Sequence, residues 1–253
     1  MIINTQTVKK TSGGSNNYSV LGGVLDENEM IYPSIKTPAG TVFVPSDNPA
    51  DFTKVDWLES DGNQYIDTKI LPQQNLQWNI KIGTNSGLDN FSVGWGSSGS
   101  AEACFVTASN ADYRYSFSGN YTSHTVPIVK DENLHIFSLK NGSQKFDGVE
   151  YSTDDTLRNT ATTGQTIVLF AANWEWESPS IIGQKCRIGY SEMLLNNVPS
   201  QNLISVYHTA TGILGMFDAV NNKFHMNAGT GNFTKPSDTS GEINLAEYLA
   251  SLT

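Results

Sequence analysis

The closing stretch FDAVNNKFHMNAGTGNF, from Phe217 to Phe233, narrows the fold more than any other part of the chain. Asn221-Asn222 is a pair that tolerates positive φ, the backbone a tight turn requires. After it, Phe224 and Met226 alternate with Lys223 and His225, the period of a strand with one face buried. Gly229-Thr230-Gly231 then turns the chain again before Phe233. A strand, a turn, a second strand and a glycine turn in such quick succession leave no room for a helix.

The same period recurs upstream. Leu76, Trp78, Ile80 and Ile82 alternate with Gln77, Asn79 and Lys81. Phe91, Val93 and Trp95 alternate with Ser92 and Gly94, and Tyr113, Tyr115 and Phe117 with Arg114 and Ser116. Leu134 to Leu139 reads as a strand, and Asn141-Gly142 after it is a hairpin turn. Ile167 to Ala172 is apolar without interruption, which places it centrally, covered on both faces. Cys186, Ile188 and Tyr190, then Met193 to Leu195, Ile204 to Val206 and Leu214 to Phe217, complete a series of about ten strands. Many short antiparallel strands in one domain make a sandwich or a barrel. One short helix is predicted at the C-terminus: Thr239 and Glu242 have capping-box spacing, and Leu245, Leu249 and Leu252 fall on one face.

Residues 1–55 read differently. They are polar and rich in Gly, Asn and Pro, with only short apolar pieces such as Val42-Phe43-Val44. Such a segment buries too little to hold its own core, so we expect an extended arm that attaches to a partner. The net charge of -10 and the lack of any basic run exclude a phosphate-backbone partner, so no nucleic acid is expected. No apolar run reaches the length of a membrane span, and the first residues lack the apolar stretch of a secretory signal. The two cysteines, Cys104 and Cys186, are too few for a disulfide framework; two buried thiols are the preferred reading, with a single disulfide the alternative.

Two blocks together carry a family resemblance. The first is WLESDGNQYIDTKILP, Trp57 to Pro72; the second runs from LFAANWE at Leu169 through KCRIGYSEMLL at Lys185 to the closing stretch. They resemble the concanavalin A-like, laminin-G-like jelly-roll domains common in bacteriophages and gut bacteria. The opening match falls on Gln64, Tyr65, Ile66, Asp67 and Thr68, and the closing match on Asp218, Phe224, Asn227, Gly229, Thr230, Gly231 and Phe233. The resemblance implies an all-β, two-sheet antiparallel jelly-roll sandwich over residues 56–235, after the arm of residues 1–55 and before a tail with a short helix at 236–253. Its first and last strands would be neighbours, with Asp67 and Asp218 accepting from turn amides and Gly229 and Gly231 permitting unusual backbone angles. These positions read as determinants of fold.

Little in the chain points to catalysis. Sandwich glycosidases place carboxylates as Glu-x-Asp-x-x-Glu on one strand, and no such triplet occurs. Glu175 and Glu177 are the nearest pair, without a third partner. The histidines, His124, His135, His208 and His225, have no metal spacing, and neither a nucleophile elbow nor a phosphate loop is present. No cofactor or metal is expected. Trp174 and Trp176, in a polar acidic loop, together with Trp95 and Tyr121, are the candidates for stacking on a sugar ring. The expected function is therefore a bacteriophage virion structural protein: a head fibre, capsid decoration or tail-associated subunit. Residues 1–55 would bind other virion proteins, the jelly roll would face host glycans, and the subunits would form a homo-oligomer such as a trimer. The alternatives are a bacterial carbohydrate-binding or adhesion module and, behind it, a glycoside hydrolase.

Overall fold

A computed structural model describes residues 20–25, 31–36, 42–43, 47–84, 91–96, 103–109, 112–118, 124–129, 131–140, 142–151, 165–174 and 181–252. The chain divides into two units, Met1–Asp47 and Asn48–Thr253. Within the first, Val20–Leu25, Ile31–Lys36 and Val42–Phe43 pair antiparallel, in chain order, into a three-stranded sheet. The segment read as an extended arm thus carries strands of its own.

The second unit is an all-β sandwich. Its larger sheet has eleven strands. Across it run Val149–Tyr151, Ser143–Phe146, His135–Lys140, Leu76–Gly83, Lys185–Leu195, Val198–His208, Leu214–Asp218 and Lys223–Met226. Leu58–Asp61 pairs with Lys185–Leu195; Phe52–Lys54 pairs with Val198–His208 and with Ile243–Asn244. The smaller sheet orders His124–Val129, Asp112–Ser118, Ala103–Ser109, Phe91–Gly96, Ala171–Trp174 and Ile181–Gly183. Its pairs are antiparallel except one: Ala171–Trp174 runs parallel to Phe91–Gly96.

The core follows from the alternation. Trp78, Ile80 and Ile82 are fully buried, while Gln77, Asn79 and Lys81 between them are not. Cross-strand partners share a face, so Trp78 sits with Leu139 and Met193, and Ile80 with Phe137 and Ser191. The smaller sheet contributes Val93, Trp95, Val106 and Ala108 to the same cluster. The Trp78 indole donates to Ser191 Oγ at 2.9 Å, satisfying its one polar atom inside the core. Each such large apolar side chain stabilises the fold by about 1.5–3 kcal/mol through burial.

A second, smaller apolar layer lies on the opposite face of the large sheet. The Phe52 ring meets Phe217 at 5.1 Å and Phe224 at 4.8 Å. Phe217 is the cross-strand partner of Ile204, and all four are buried. The helix Leu245–Ala250 packs against Phe52–Lys54 and buries Leu245. Residues 48–55 and the C-terminal segment, read from sequence as arm and tail, are therefore parts of the sandwich unit. The helix also starts later than its sequence suggested. Its N-cap is Asn244, whose side chain accepts from Ala246 N at 3.0 Å, while Thr239 and Glu242 make a turn. The helix is too short to carry the expected leucine face, and Leu252 stays 61% exposed.

Ile167–Ala172 is buried throughout, as its apolar run implies. It is nevertheless two strands. Phe170 takes φ +61°, which ends Val168–Leu169, paired with Ile66–Asp67, and redirects the chain into Ala171–Trp174. The Phe170 carbonyl accepts from Gln184 N at 2.8 Å and its ring packs on Phe233 at 4.6 Å. A bulky residue at positive φ is strained, and these contacts hold it there.

Candidate functional site

The two signature blocks meet. Glu59 and Thr234 exchange backbone hydrogen bonds at 2.9 and 3.0 Å, Ala228 N donates to Tyr65 O at 2.9 Å, and Thr230 N to Asn63 O at 2.9 Å. Asn227 Oδ1 accepts from Tyr65 N at 3.1 Å and Gly229 N at 2.8 Å. A Cβ on Gly229 would stand 2.1 Å from Asn63 O, so only glycine fits; Gly231 has φ +72°. Asp218, 1% exposed, accepts from Asn202 N at 3.1 Å, Val220 N at 3.0 Å and Asn221 N at 3.3 Å. Asp67 accepts from Lys69 N at 3.0 Å and Thr166 Oγ1 at 2.6 Å. Partial burial alone would raise the Asp67 carboxyl, but bonds from Lys69 and Thr166 hold it below its ordinary value. Phe224 and Phe233 are buried. Bonds from Glu59, Asn63 and Tyr65 to Asn227, Ala228, Thr230 and Thr234 join the two blocks where the ends of the sandwich meet, while Asp67 and Asp218 hold the turns beside them.

Of the stacking candidates, Trp95 and Trp174 are among the described residues. Trp95 lies in the core at 1% exposure, and its Nε1 finds no acceptor among the described residues; a ring so placed has no open face for a sugar. Trp174 ends its strand half-buried, beside Gly96 of the neighbouring strand. Trp176, Tyr121, Glu175 and Glu177 lie outside the described residues. Cys186 is a free thiol, fully buried, and burial followed by the nearby Glu59 charge pushes it up and away from reactivity. His135 is held between two carboxylates, Nδ1 2.7 Å from Asp147 Oδ2 and Nε2 2.9 Å from Asp131 Oδ1, and stacks on Phe146 at 4.9 Å. This clamp fastens the turn before His135–Lys140 to the turn after Ser143–Phe146. Among the described residues no group of three His, Cys, Asp or Glu side chains is placed to hold a metal ion.

The concave site is elsewhere, on the solvent face of the large sheet. A cavity of about 410 Å³ is lined by Lys54, Asp56, Lys81, Tyr190, Glu192 and Tyr248, with Asn202 at its side and Gly189 and Ile204 beneath. Its assembly follows from register. Tyr190 faces Lys81 and Ile204 across the two adjoining ladders, and Glu192 faces Asn79 and Asn202. The register of Lys185–Leu195 against Leu76–Gly83 shifts between Ile188 and Tyr190, at Gly189. A Cβ there would lie 2.9 Å from Asp56 O and 3.3 Å from Lys81 Cδ, so glycine keeps the floor low. The helix supplies the far wall with Tyr248, whose ring carries Lys54 Nζ at 5.2 Å.

Several groups in this cavity are already engaged. Lys54 is 3.6 Å from Asp56, and Glu192 accepts from Asn79 Nδ2 at 2.8 Å. Burial, then the charge of Glu192 and the nearby Tyr248, pushes the Tyr190 phenol up, so it stays protonated and able to donate. No motif pointed to this place, because its residues come one to three at a time from four strands, a loop and the helix. The alternation of Lys81 with Ile80 and Ile82 marked the outward face, and nothing in sequence marked which outward face would be hollow. A second hollow of about 230 Å³, lined by Gln77, Asn79, Ser138, Lys140, Ser143 and Lys145, continues the same face. Compared with protein-family models, curated proteins and solved structures, the chain matches none.

Proposed function

We propose that the chain is a structural protein of a bacteriophage virion: a head fibre, capsid decoration or tail-associated subunit that acts by shape and surface rather than by catalysis. In this reading the N-terminal segment attaches to other virion proteins and the sandwich projects outward as a homo-oligomer. The observation that carries it is the fate of the signature residues. Asp67 and Asp218 hold turns of the β-sandwich and Asn227, Gly229 and Gly231 its closure, the requirement of a displayed shell module. The concanavalin A-like resemblance of those blocks supplies the phage association. The test is mass spectrometry and immunogold labelling of particles purified from lysates of cells that express the chain. Stoichiometric recovery with particles supports the proposal, and recovery only in the soluble fraction overturns it. The second reading, a carbohydrate-binding or adhesion module, is favoured by the cavity on the large sheet, whose polar walls and tyrosine rings suit a sugar.

A further inference from the structure

We infer that residues 225–232 form a flap over the junction that opens in acid, with the ring of His225 as its latch. Such a latch is a property of the closure and holds under either reading of function.

The flap has fixed ends. On its N-terminal side Phe224 is buried against Phe52, ring to ring at 4.8 Å. On its C-terminal side Phe233 is 3% exposed and packs on Phe170 at 4.6 Å, and Thr234 is bonded to Glu59 in both directions. Between these anchors the chain is held lightly. None of residues 225–232 is fully buried. Among the described residues the strand Lys223–Met226 pairs only with Leu214–Asp218. Beyond it the hold on the opening block consists of polar bonds: Tyr65 N to Asn227 Oδ1, Ala228 N to Tyr65 O and Thr230 N to Asn63 O.

His225 pairs across the strands with Met216, a core residue, so its ring lies on the core face, opposite to that of Phe224. Its Nε2 is buried and has no hydrogen-bond partner among the described residues. A neutral ring can leave only a lone pair in that place. A protonated ring puts an N–H and a charge there without an acceptor. The charged groups nearby offer none. Asp218 in the facing strand is taken by three backbone amides and by Asn221 Nδ2 at 2.6 Å. Asp67 is taken by Lys69 N, Lys69 Nζ and Thr166 Oγ1. Lys223 on the same strand and Lys69 beside Asp67 both disfavour a further positive charge. Burial outweighs the pull of Asp218 and Asp67 and holds the ring below its ordinary value of 6.5.

A proton on this ring is accommodated by turning the ring out to water, and the end of the strand moves with it. Phe224 stays, because its ring is held on the other face, so the backbone hinges between Phe224 and His225. Met226 and Asn227 follow directly, and Asn227 takes with it the acceptor of Tyr65 N and Gly229 N. In the open flap the ring has its ordinary proton affinity. The closed flap is therefore fully favoured above 6.5 and loses ground as pH falls from there to the depressed value, by about tenfold in the opening equilibrium for each pH unit.

The test is amide hydrogen exchange of the full chain, read by NMR from about pH 7.5 to about pH 5.5 and corrected for the intrinsic rate at each pH. The amides of Tyr65, Ala228, Gly229 and Thr230 should lose protection by about tenfold over the last pH unit, while those of Glu59 and Thr234 keep theirs. H225Q and H225L are neutral replacements of different shape, so the test survives if one of them folds poorly. Either should make the flap insensitive to pH. H208Q, which removes the other histidine held below its ordinary value, should leave the response intact. Flap amides as protected at the lower pH as at the higher, an undiminished response in H225Q or H225L, or a loss shared by Glu59 and Thr234 overturns the inference.

Discussion

The junction of the two signature blocks and the cavity on the large sheet are opposites in how they use polar groups. Asn227 at the junction accepts from two backbone amides, and Asp218 in the turn of the closing block from three, with little of either left over. In the cavity the phenols of Tyr190 and Tyr248 and the amide of Asn202 are uncommitted among the described residues. Residues recurring as a recognisable pattern are here those the fold cannot do without. Residues free to meet a partner carry no pattern at all. A motif in this chain is therefore a statement about closure of the sandwich.

The sharpest way to break this contrast is to disturb the junction sterically. Gly229→Ala would place a methyl group 2.1 Å from the Asn63 carbonyl oxygen, a backbone atom with no side-chain freedom to yield. We expect a loss of about 3 kcal/mol, the upper range for overpacking, read as a lowered midpoint in urea unfolding. A midpoint within experimental error of the parent would show that the junction is looser than its hydrogen bonds imply. Asp218→Ala should come next, at about 2 kcal/mol, because it leaves the Asn202, Val220 and Asn221 amides without their acceptor. Asp218→Asn keeps an acceptor oxygen and should recover more than half of that loss.

These expectations rest on the part of the fold the sequence made legible. Strand faces were readable because one side of each strand is buried, and Trp78, Ile80 and Ile82 sort inward as their period demands. The turn role of Asp218 was readable because a carboxylate three residues before the Asn221-Asn222 turn pair has turn amides within reach. The break at Phe170 was not, since its positive φ is imposed by the Gln184 bond and the Phe233 ring, both distant in sequence. The parallel pairing of Ala171–Trp174 with Phe91–Gly96 was likewise invisible, because an apolar run does not encode the direction of its neighbour. The helix start moved from Thr239 to Asn244 because Ile243–Asn244 pairs with Phe52–Lys54 first. Trp95 shows which of two readings wins: it was a candidate for stacking on a sugar, but its alternation with Phe91 and Val93 put it on the face that the structure buries.

The cavity side of the comparison predicts small effects. Y190A and Y248A remove partly exposed rings with no hydrogen bond to lose, so each should cost less than about 1 kcal/mol of stability. Unfolding midpoints near that of the parent, beside the loss of sugar affinity that the carbohydrate-binding reading expects, would separate binding from architecture at the level of single residues. A loss as large as that of Asp218→Ala would place the tyrosines with the architectural positions instead.

The smallest effect concerns protons. His208 and His225 are both held below the ordinary value of 6.5, chiefly because burial disfavours the charged ring. The unfolded chain therefore binds their protons first as pH falls, and stability declines from about 6.5 down to their depressed folded values, then levels. Asp67 and Asp131 act at lower pH with the same sign. Burial opposes their charge, but bonds from Lys69 and Thr166 to Asp67, and from His135 and Asn133 to Asp131, outweigh it and hold both below 3.8. Their contribution is complete above 3.8 and is lost as pH falls through the lower folded values. Stability measured against pH should fall in two stages, and H208Q/H225Q should abolish the upper stage while leaving the lower one. His225 sits beside Phe224, in the strand that leads into the signature turn, so a surviving upper stage in that variant would assign the proton linkage to a region other than the junction.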